Sequence, residues 1–320
     1  MTIRLTIKSA IWRGHVVDVV NRVEGLVPVI KGNGYGFGRH WLAERAAEFA
    51  DTAAVGTVHE LDGLPEQLTP VVLTPASFDV LRLDDVRTRL ASVDPVLTVG
   101  APEHVAALDH EGWRGRVIVK LASTMRRFGR GPELIDTARG SGLDVVGVAV
   151  HPPLVGDDLA HAADIEAAID AVDPALAVWV SHLGVDAYAA VRARHPDRTF
   201  RLRLGTALWH GDKRAFHLTA DVLDVRPVAA GEQAGYQLGD VAGDGNLVMI
   251  GAGTANGVTR LDGGLSPFHF ERRRLALHEG PHMHTSMVFV PAGDPVPTIG
   301  SRVDLQRPLT TTLVDEFDWI

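Results

Sequence analysis

The run Val27-Pro-Val-Ile-Lys-Gly-Asn-Gly-Tyr-Gly-Phe-Gly38 ends an apolar, strand-type segment on a lysine. Glycines then occupy positions 32, 34, 36 and 38, with Tyr35 among them. An ammonium at the end of a buried strand must be desolvated, paired or used. A desolvated lysine has a lowered pKa, which is how an amine becomes a nucleophile toward a carbonyl. The glycines let the backbone turn sharply and come close to a ligand. Their spacing fits neither the dinucleotide fingerprint nor the P-loop. The plainer reading is a solvated lysine in a glycine-rich loop.

Further basic and polar residues recur at the ends of apolar runs. Lys120 and Arg127 lie on and after 116–122, His151 closes 144–151, and Ser181 and His182 close 177–182. Arg203 lies in 199–205, followed by Gly205 and Thr206. Singly, each has a plain account: a snorkelling lysine, a solvated arginine, a satisfied core histidine. Together they describe an anion-binding mouth. Gly205-Thr206 opens a helix start, where backbone N–H groups suit a phosphate.

A rhythm of elements must position these residues. Eight short runs rich in Val, Ile, Leu and Ala lie near 27–31, 52–57, 70–74, 96–100, 116–122, 144–151, 177–182 and 199–205. Helical stretches are expected at 9–24, 39–50, 77–90, 101–111, 132–140, 157–171 and 185–194. Eight strands alternating with helices predict an α/β fold, a (β/α)8 TIM barrel, whose sites collect at the C-terminal strand ends. A doubly wound sheet is the alternative, usually with fewer strands. After Gly211 strands follow one another: 216–226, 233–237, 246–251, 283–290 and 300–314. This predicts a small all-β C-terminal domain. The expected domains are a barrel over 9–212 and a β-rich domain over 213–320, completed by strand 1–8.

The chain has 320 residues, a formal charge of −9 and no cysteine, which removes disulfides, thiolate catalysis and Cys-ligated zinc. The acidic balance argues against a nucleic-acid partner. No apolar run reaches membrane-spanning length and the N-terminus has no signal-type segment, so a cytoplasmic protein is expected.

These motifs resemble the fold-type III pyridoxal-phosphate enzymes, and the alanine racemase family most closely. Residues 30–38 look like V-K-A-x-A-Y-G-H-G, and Lys120-Leu-Ala-Ser-Thr-Met-Arg-Arg127-Phe-Gly129 looks like K-x-D-T-G-M-x-R-x-G. Gly147-Val-Ala-Val-His151, Arg203-Leu-Gly-Thr-Ala-Leu-Trp-His-Gly211 and Ala230-Gly-Glu-Gln-Ala-Gly-Tyr236 match further motifs in the same order. The resemblance implies pyridoxal 5'-phosphate as cofactor, with Lys31 holding it as an aldimine and serving as one racemisation base. Tyr35, the Gly205-Thr206 backbone and the loosely matching Ser181-His182 would bind the cofactor, and His151 would pack beside its ring. Arg203 would face the pyridine nitrogen; an arginine does not release its proton, which restrains side reactions. Arg127 would hold the substrate carboxylate, oriented by Lys120 or its carbamate. A homodimer with shared active sites is implied, acting on a small amino acid.

The chain departs from the family in one catalytic position. The partner-borne second base, a tyrosine, aligns with Thr254, whose hydroxyl has no accessible pKa. The family's phosphate-binding tail tyrosine has no counterpart after residue 310. In Gly280-Pro-His-Met-His284, a segment that would line the partner's site, His282 and His284 are candidates for the substitute base, flanking Met283. On a strand the two would share a face and could be solvent-facing instead, or pair on a metal. The expected function is a pyridoxal-phosphate-dependent racemase or epimerase with an atypical second base. The alternatives are a metal-assisted D-amino-acid lyase or aldolase, and a cofactor-binding homologue without turnover.

Overall fold

The computed structural model describes residues 2–320. They form two compact units, Met1–Arg13 with Asp212–Ile320, and Gly14–Gly211.

The second unit is a closed barrel of eight parallel strands: β2 (Leu26–Pro28), β3 (Thr52–Val55), β4 (Thr69–Val72), β5 (Leu97–Val99), β6 (Arg116–Lys120), β7 (Asp144–Ala149), β8 (Ala177–Val180) and β9 (Phe200–Leu204). Strand β1 (Ile3–Ile7) precedes them and belongs to the other unit. Parallel ladders join β5 through β9, and β9 returns to β2. Single parallel bridges, Val29 to Ala54 and Val71 to Val96, close the ring through the β3–β4 pair. Strands β3 and β5 are buried along their whole length, as expected where helices cover one face of a parallel strand and the barrel interior the other.

The helices are α1 (Ser9–Arg22), α2 (Arg39–Ala47), α3 (Phe78–Leu81), α4 (Asp84–Val93), α5 (Pro102–His110), α6 (Glu133–Gly140), α7 (Asp158–Ile169), α8 (Val185–Arg194) and the single turn α9 (Thr206–Trp209). The expected helix 77–90 is two helices. Leu83 takes an extended backbone between them, and Asp84 and Asp85 begin the next helix, where its N-terminal dipole favours acids.

The other unit is all-β. Strand β1 buries Ile3, Leu5 and Ile7 completely, the period-2 pattern of its sequence, and pairs antiparallel with the long β10 (Phe216–Val228). The remaining strands are β11 (Gln233–Ala234), β12 (Gly239–Asp240), β13 (Gly245–Ile250), β14 (Phe268–Phe270), β15 (Arg273–Arg274), β16 (Ala276–Leu277), β17 (Ser286–Pro291), β18 (Arg302–Leu305) and β19 (Glu316–Trp319). The main sheet runs β15-β14-β18-β10-β13-β17-β16, with β1 attached to β10 and to β19. Two expected strands change. The 300–314 run divides into β18 and a 3-10 turn at Leu309–Thr311. The 283–290 run begins only at Ser286, so His282, Met283 and His284 lie in a loop. Pro281 offers no N–H for a ladder, and the carbonyls of His282 and Met283 accept from Thr254 N–H and Ala255 N–H, both at 2.8 Å.

Candidate active site

The C-terminal ends of the barrel strands gather the basic residues. Lys31 stands three residues beyond β2, in a loop where Gly32, Gly34, Gly36 and Gly38 all take positive φ and Tyr35 is left-handed at 55°. The loop is clamped from the β9–α9 side. Trp209 Nε1–H donates to the Val29 carbonyl and His210 Nε2–H donates to the Tyr35 carbonyl, both at 2.8 Å. Lys31 itself is exposed rather than enclosed. Loss of hydration among the strand ends still lowers its pKa, with Arg127 and Arg203 acting the same way and Glu60 opposing them.

Glu60 closes a short turn after β3 and was absent from the sequence reading. Its carboxylate accepts from Gly56 N–H at 2.6 Å and Gly32 N–H at 3.1 Å, so it ties the lysine loop to the neighbouring strand. The signal was available, since Glu60 follows the end of an apolar run as closely as Arg127 does.

Tyr35 is 8% exposed, and burial pushes its pKa up to about 12, so it remains a phenol and a donor. Its hydroxyl occupies space that a side chain at position 205 would need: a Cβ on Gly205 would fall 1.8 Å from Oη. Only glycine allows the tyrosine to lie against the start of α9. Thr206, the next residue, is exposed.

Arg203 is 8% exposed and reaches across the barrel to the carbonyls of Val150 (2.8 Å), Trp179 and Val180 (both 3.3 Å). Burial, and then Arg127, lower its pKa to about 10, which leaves it cationic near neutrality. His151 Nδ1 is hydrogen-bonded to Ser181 Oγ, and its ring lies 4.5 Å from that of His182. Burial first, then Arg203, His182, Lys120 and Arg127, drive the His151 pKa down to about 2, so its imidazole is neutral. His182 adopts a left-handed backbone, φ 61°, and its Nδ1–H donates to the carbonyls of Pro152 (3.0 Å) and Pro153 (3.1 Å). It thereby anchors the loop after β7. His161, buried on α7 and not singled out from sequence, donates from Nδ1 to the His182 carbonyl at 2.6 Å.

Arg127 sits at the tip of a loop that folds back on β6, where Ala122 N–H donates to the Arg130 carbonyl at 2.9 Å. Its guanidinium is exposed and makes no hydrogen bond or ion pair among the described residues. Lys120 is 5% exposed, with Nζ 5.5 Å from the Phe128 ring centroid. Burial, then Arg203, Arg127 and Lys31, lower its pKa to about 8 from an ordinary 10.5. Between those values the unfolded chain binds more protons than the folded one, so stability rises with pH. The site's contribution is most favourable above 10.5 and is lost as pH falls through about 8. In the cofactor-free protein Lys120→Met therefore raises the melting temperature most at pH 7, and the gain shrinks toward pH 10.5. An equal gain at both pH values would show that Lys120 is not held as a costly buried cation.

The remaining candidates belong to the all-β unit. Thr254 and the 282–284 loop come together there, joined by the two backbone bonds described above. Thr254, Met283 and His284 are exposed, whereas His282 turns inward to Glu279. Among the described residues no three His, Asp or Glu side chains gather as for a metal ion, and no helix is long and apolar enough to cross a membrane.

Comparison with known proteins bears on the fold and the family. No curated relative matches the chain. The solved structure of alanine racemase from Bartonella henselae with covalently bound pyridoxal phosphate superposes with a TM-score of 0.74 at 18% identity, covering 100% of each chain. Alanine racemase of Clostridium difficile 630 gives 0.72 at 18% identity, over 99% of this chain and 96% of that one. Alanine racemase from E. faecalis gives 0.71 at 20%, over 100% of this chain and 98% of that one. At such identities these likenesses establish the fold. The family model described as alanine racemase, N-terminal domain, matches residues 14–212, more than half of the sequence and the whole barrel, so the chain belongs to the alanine racemase family.

Proposed function

We propose that the protein is a pyridoxal-phosphate-dependent amino-acid racemase or epimerase, working as a homodimer in which the all-β unit of each chain serves the other's barrel. The observation that carries this reading is the mouth itself. It holds an amine of lowered pKa, a buried phenol, a neutral imidazole and two guanidiniums, all at the C-terminal ends of barrel strands.

These residues fit pyridoxal phosphate. Lys31 would hold its aldehyde carbon, and Tyr35, whose hydroxyl lies where a Gly205 Cβ would stand, would hold its phosphate together with the Gly205-Thr206 backbone. Bound there, the cofactor supplies an electron sink that acidifies the α-proton of an amino acid. Arg203 stays charged and buried, and would not release its proton to the ring nitrogen. His151, held neutral, packs without adding charge. Exposed Arg127 offers a bidentate fork to the substrate carboxylate. Lys31 Nζ, whose pKa is lowered, would take or return the α-proton on one face. Thr254 cannot serve the other face, and His282 is the group we assign to it.

The test is incubation of the cofactor-loaded protein with D- and L-amino acids, alanine first, in deuterium oxide. The expected result is α-deuterium in both enantiomers, whichever is supplied. Exchange with strict retention marks a one-base enzyme, and no exchange with any amino acid overturns the reading.

A further inference from the structure

Glu279 is a buried carboxylate, 8% exposed, in a unit whose other acids lie mostly at the surface. Three groups converge on it. Tyr236 N–H donates to Oε1 at 3.0 Å, Gln237 N–H donates to Oε2 at 3.3 Å, and His282 Nε2 bonds to Oε1. The hairpin turn between β11 and β12 is shaped to fit this carboxylate. Gly235 takes φ 80°, and a Cβ there would fall 2.4 Å from Glu279 Oε1. His278 fastens the same turn, its Nε2–H donating to the Ala234 carbonyl at 3.1 Å. Burial raises the Glu279 pKa, but the bonds from Tyr236, His282 and Gln237 outweigh it, and the net direction is down. Glu279 is therefore an anion that only accepts.

An acceptor-only carboxylate dictates the tautomer of its partner. The His282 proton must sit on Nε2, which leaves Nδ1 as the basic atom. Among the described residues Nδ1 has only the Thr285 hydroxyl as a hydrogen-bond neighbour, at a marginal 3.5 Å. The Tyr236 ring lies 4.4 Å from the His282 ring and is itself 84% exposed, so it covers the imidazole from solvent on one side. The backbone of the same histidine is tied to Thr254, the position where the family's tyrosine is missing. His284, two residues on, is exposed and has no comparable support.

The geometry points to a Glu279–His282 dyad as the second base, with Glu279 as the positioning residue that fixes the tautomer and offsets the charge of the imidazolium. This rests on the racemase reading above. In the step, His282 Nδ1 takes the α-proton of one enantiomer and becomes an imidazolium beside the Glu279 carboxylate. Lys31 gives a proton to the opposite face of the same carbon. In the reverse direction the two groups exchange roles, and no net proton is gained or lost.

The test uses Glu279→Gln, Glu279→Ala and His282→Ala in the full-length, cofactor-loaded protein. An amide oxygen placed at the Oε1 position in Glu279→Gln still accepts from His282 and Tyr236, so this variant keeps the tautomer, loses the charge and gives up only the long Gln237 N–H bond to Oε2. In ¹⁵N-histidine-labelled protein, the signal missing from His282→Ala should report an Nε2–H tautomer in the wild type and in Glu279→Gln, and a tautomer mixture in Glu279→Ala. Racemisation should fall on the order of 100-fold in both Glu279 variants, the lower end of what a positioned base contributes. Exchange of the α-proton facing Lys31 should persist. Full activity in Glu279→Gln would reduce Glu279 to a turn fastener, and an unchanged tautomer in Glu279→Ala would remove the dyad. If the wild type exchanges no α-proton, the racemase reading fails and the base role with it; the tautomer comparison then still reports whether Glu279 orients His282.

Discussion

Lys31→Ala is expected to lose the covalent attachment of pyridoxal phosphate and all measurable racemisation, a fall of more than roughly a thousandfold, because in the proposed function one residue supplies both the nucleophile and a base. Position explains why no neighbour replaces it. Lys31 stands in a loop clamped by Trp209 and His210, open at the mouth and with a lowered pKa. Lys120 is the other lysine at the strand ends, but it is 5% exposed and its Nζ lies over the Phe128 ring. Borohydride reduction followed by peptide mapping decides between them. The expected adduct is on the peptide containing Lys31, and none survives in the variant. A reduced adduct on Lys120 in the wild type would transfer the assignment to β6.

The barrel was legible because its signal is periodic and redundant. Eight apolar runs, spaced by helices, leave few other ways to bury both faces of a parallel sheet, and all eight appear as strands. The strand-end rule put Lys31, Lys120, Arg127, His151, Ser181, His182 and Arg203 at the ends of the barrel strands without coordinates, and they lie there. It missed Glu60 and His161 for different reasons. Glu60 does follow a strand end, but a lone acid among basic neighbours does not fit an anion-binding pattern. His161 lies on the surface-facing element α7 and acts through the backbone of His182, a contact no spacing encodes. The β-rich unit was less legible because short strands are delimited by hydrogen bonds made elsewhere in the chain. Residues 282–284 read as strand from their composition. They form a loop because Thr254, Ala255 and Thr285 take their backbone groups, and that loop turns His282 toward Glu279 instead of to one face with His284.

The second prediction concerns the proposed dimer, and its effect runs from no activity to about a quarter of the wild-type rate. Lys31→Ala and His282→Ala are each expected to be inactive as pure homodimers, the first for want of the lysine, the second for want of the opposing base. The two residues belong to different units of the chain, Lys31 to Gly14–Gly211 and His282 to Asp212–Ile320. If each all-β unit serves the partner's barrel, a mixed dimer contains one barrel with Lys31 facing one intact Glu279–His282 pair, and a second site that lacks both. Equal mixing then restores about a quarter of the wild-type rate, since half of the dimers are mixed and each has one working site. The measurement is racemisation after the two variants are dissociated and reassociated together, with differently tagged chains to confirm mixed dimers. A site completed within its own chain gives two half-disabled sites per mixed dimer and no recovery. A monomer by light scattering at the assay concentration would sink the shared-site arrangement at once. Adding Glu279→Gln to the Lys31→Ala chain, which otherwise supplies the working dyad, should lower the recovered rate. Adding it to the His282→Ala chain should leave that rate unchanged, because the dyad there is already disabled.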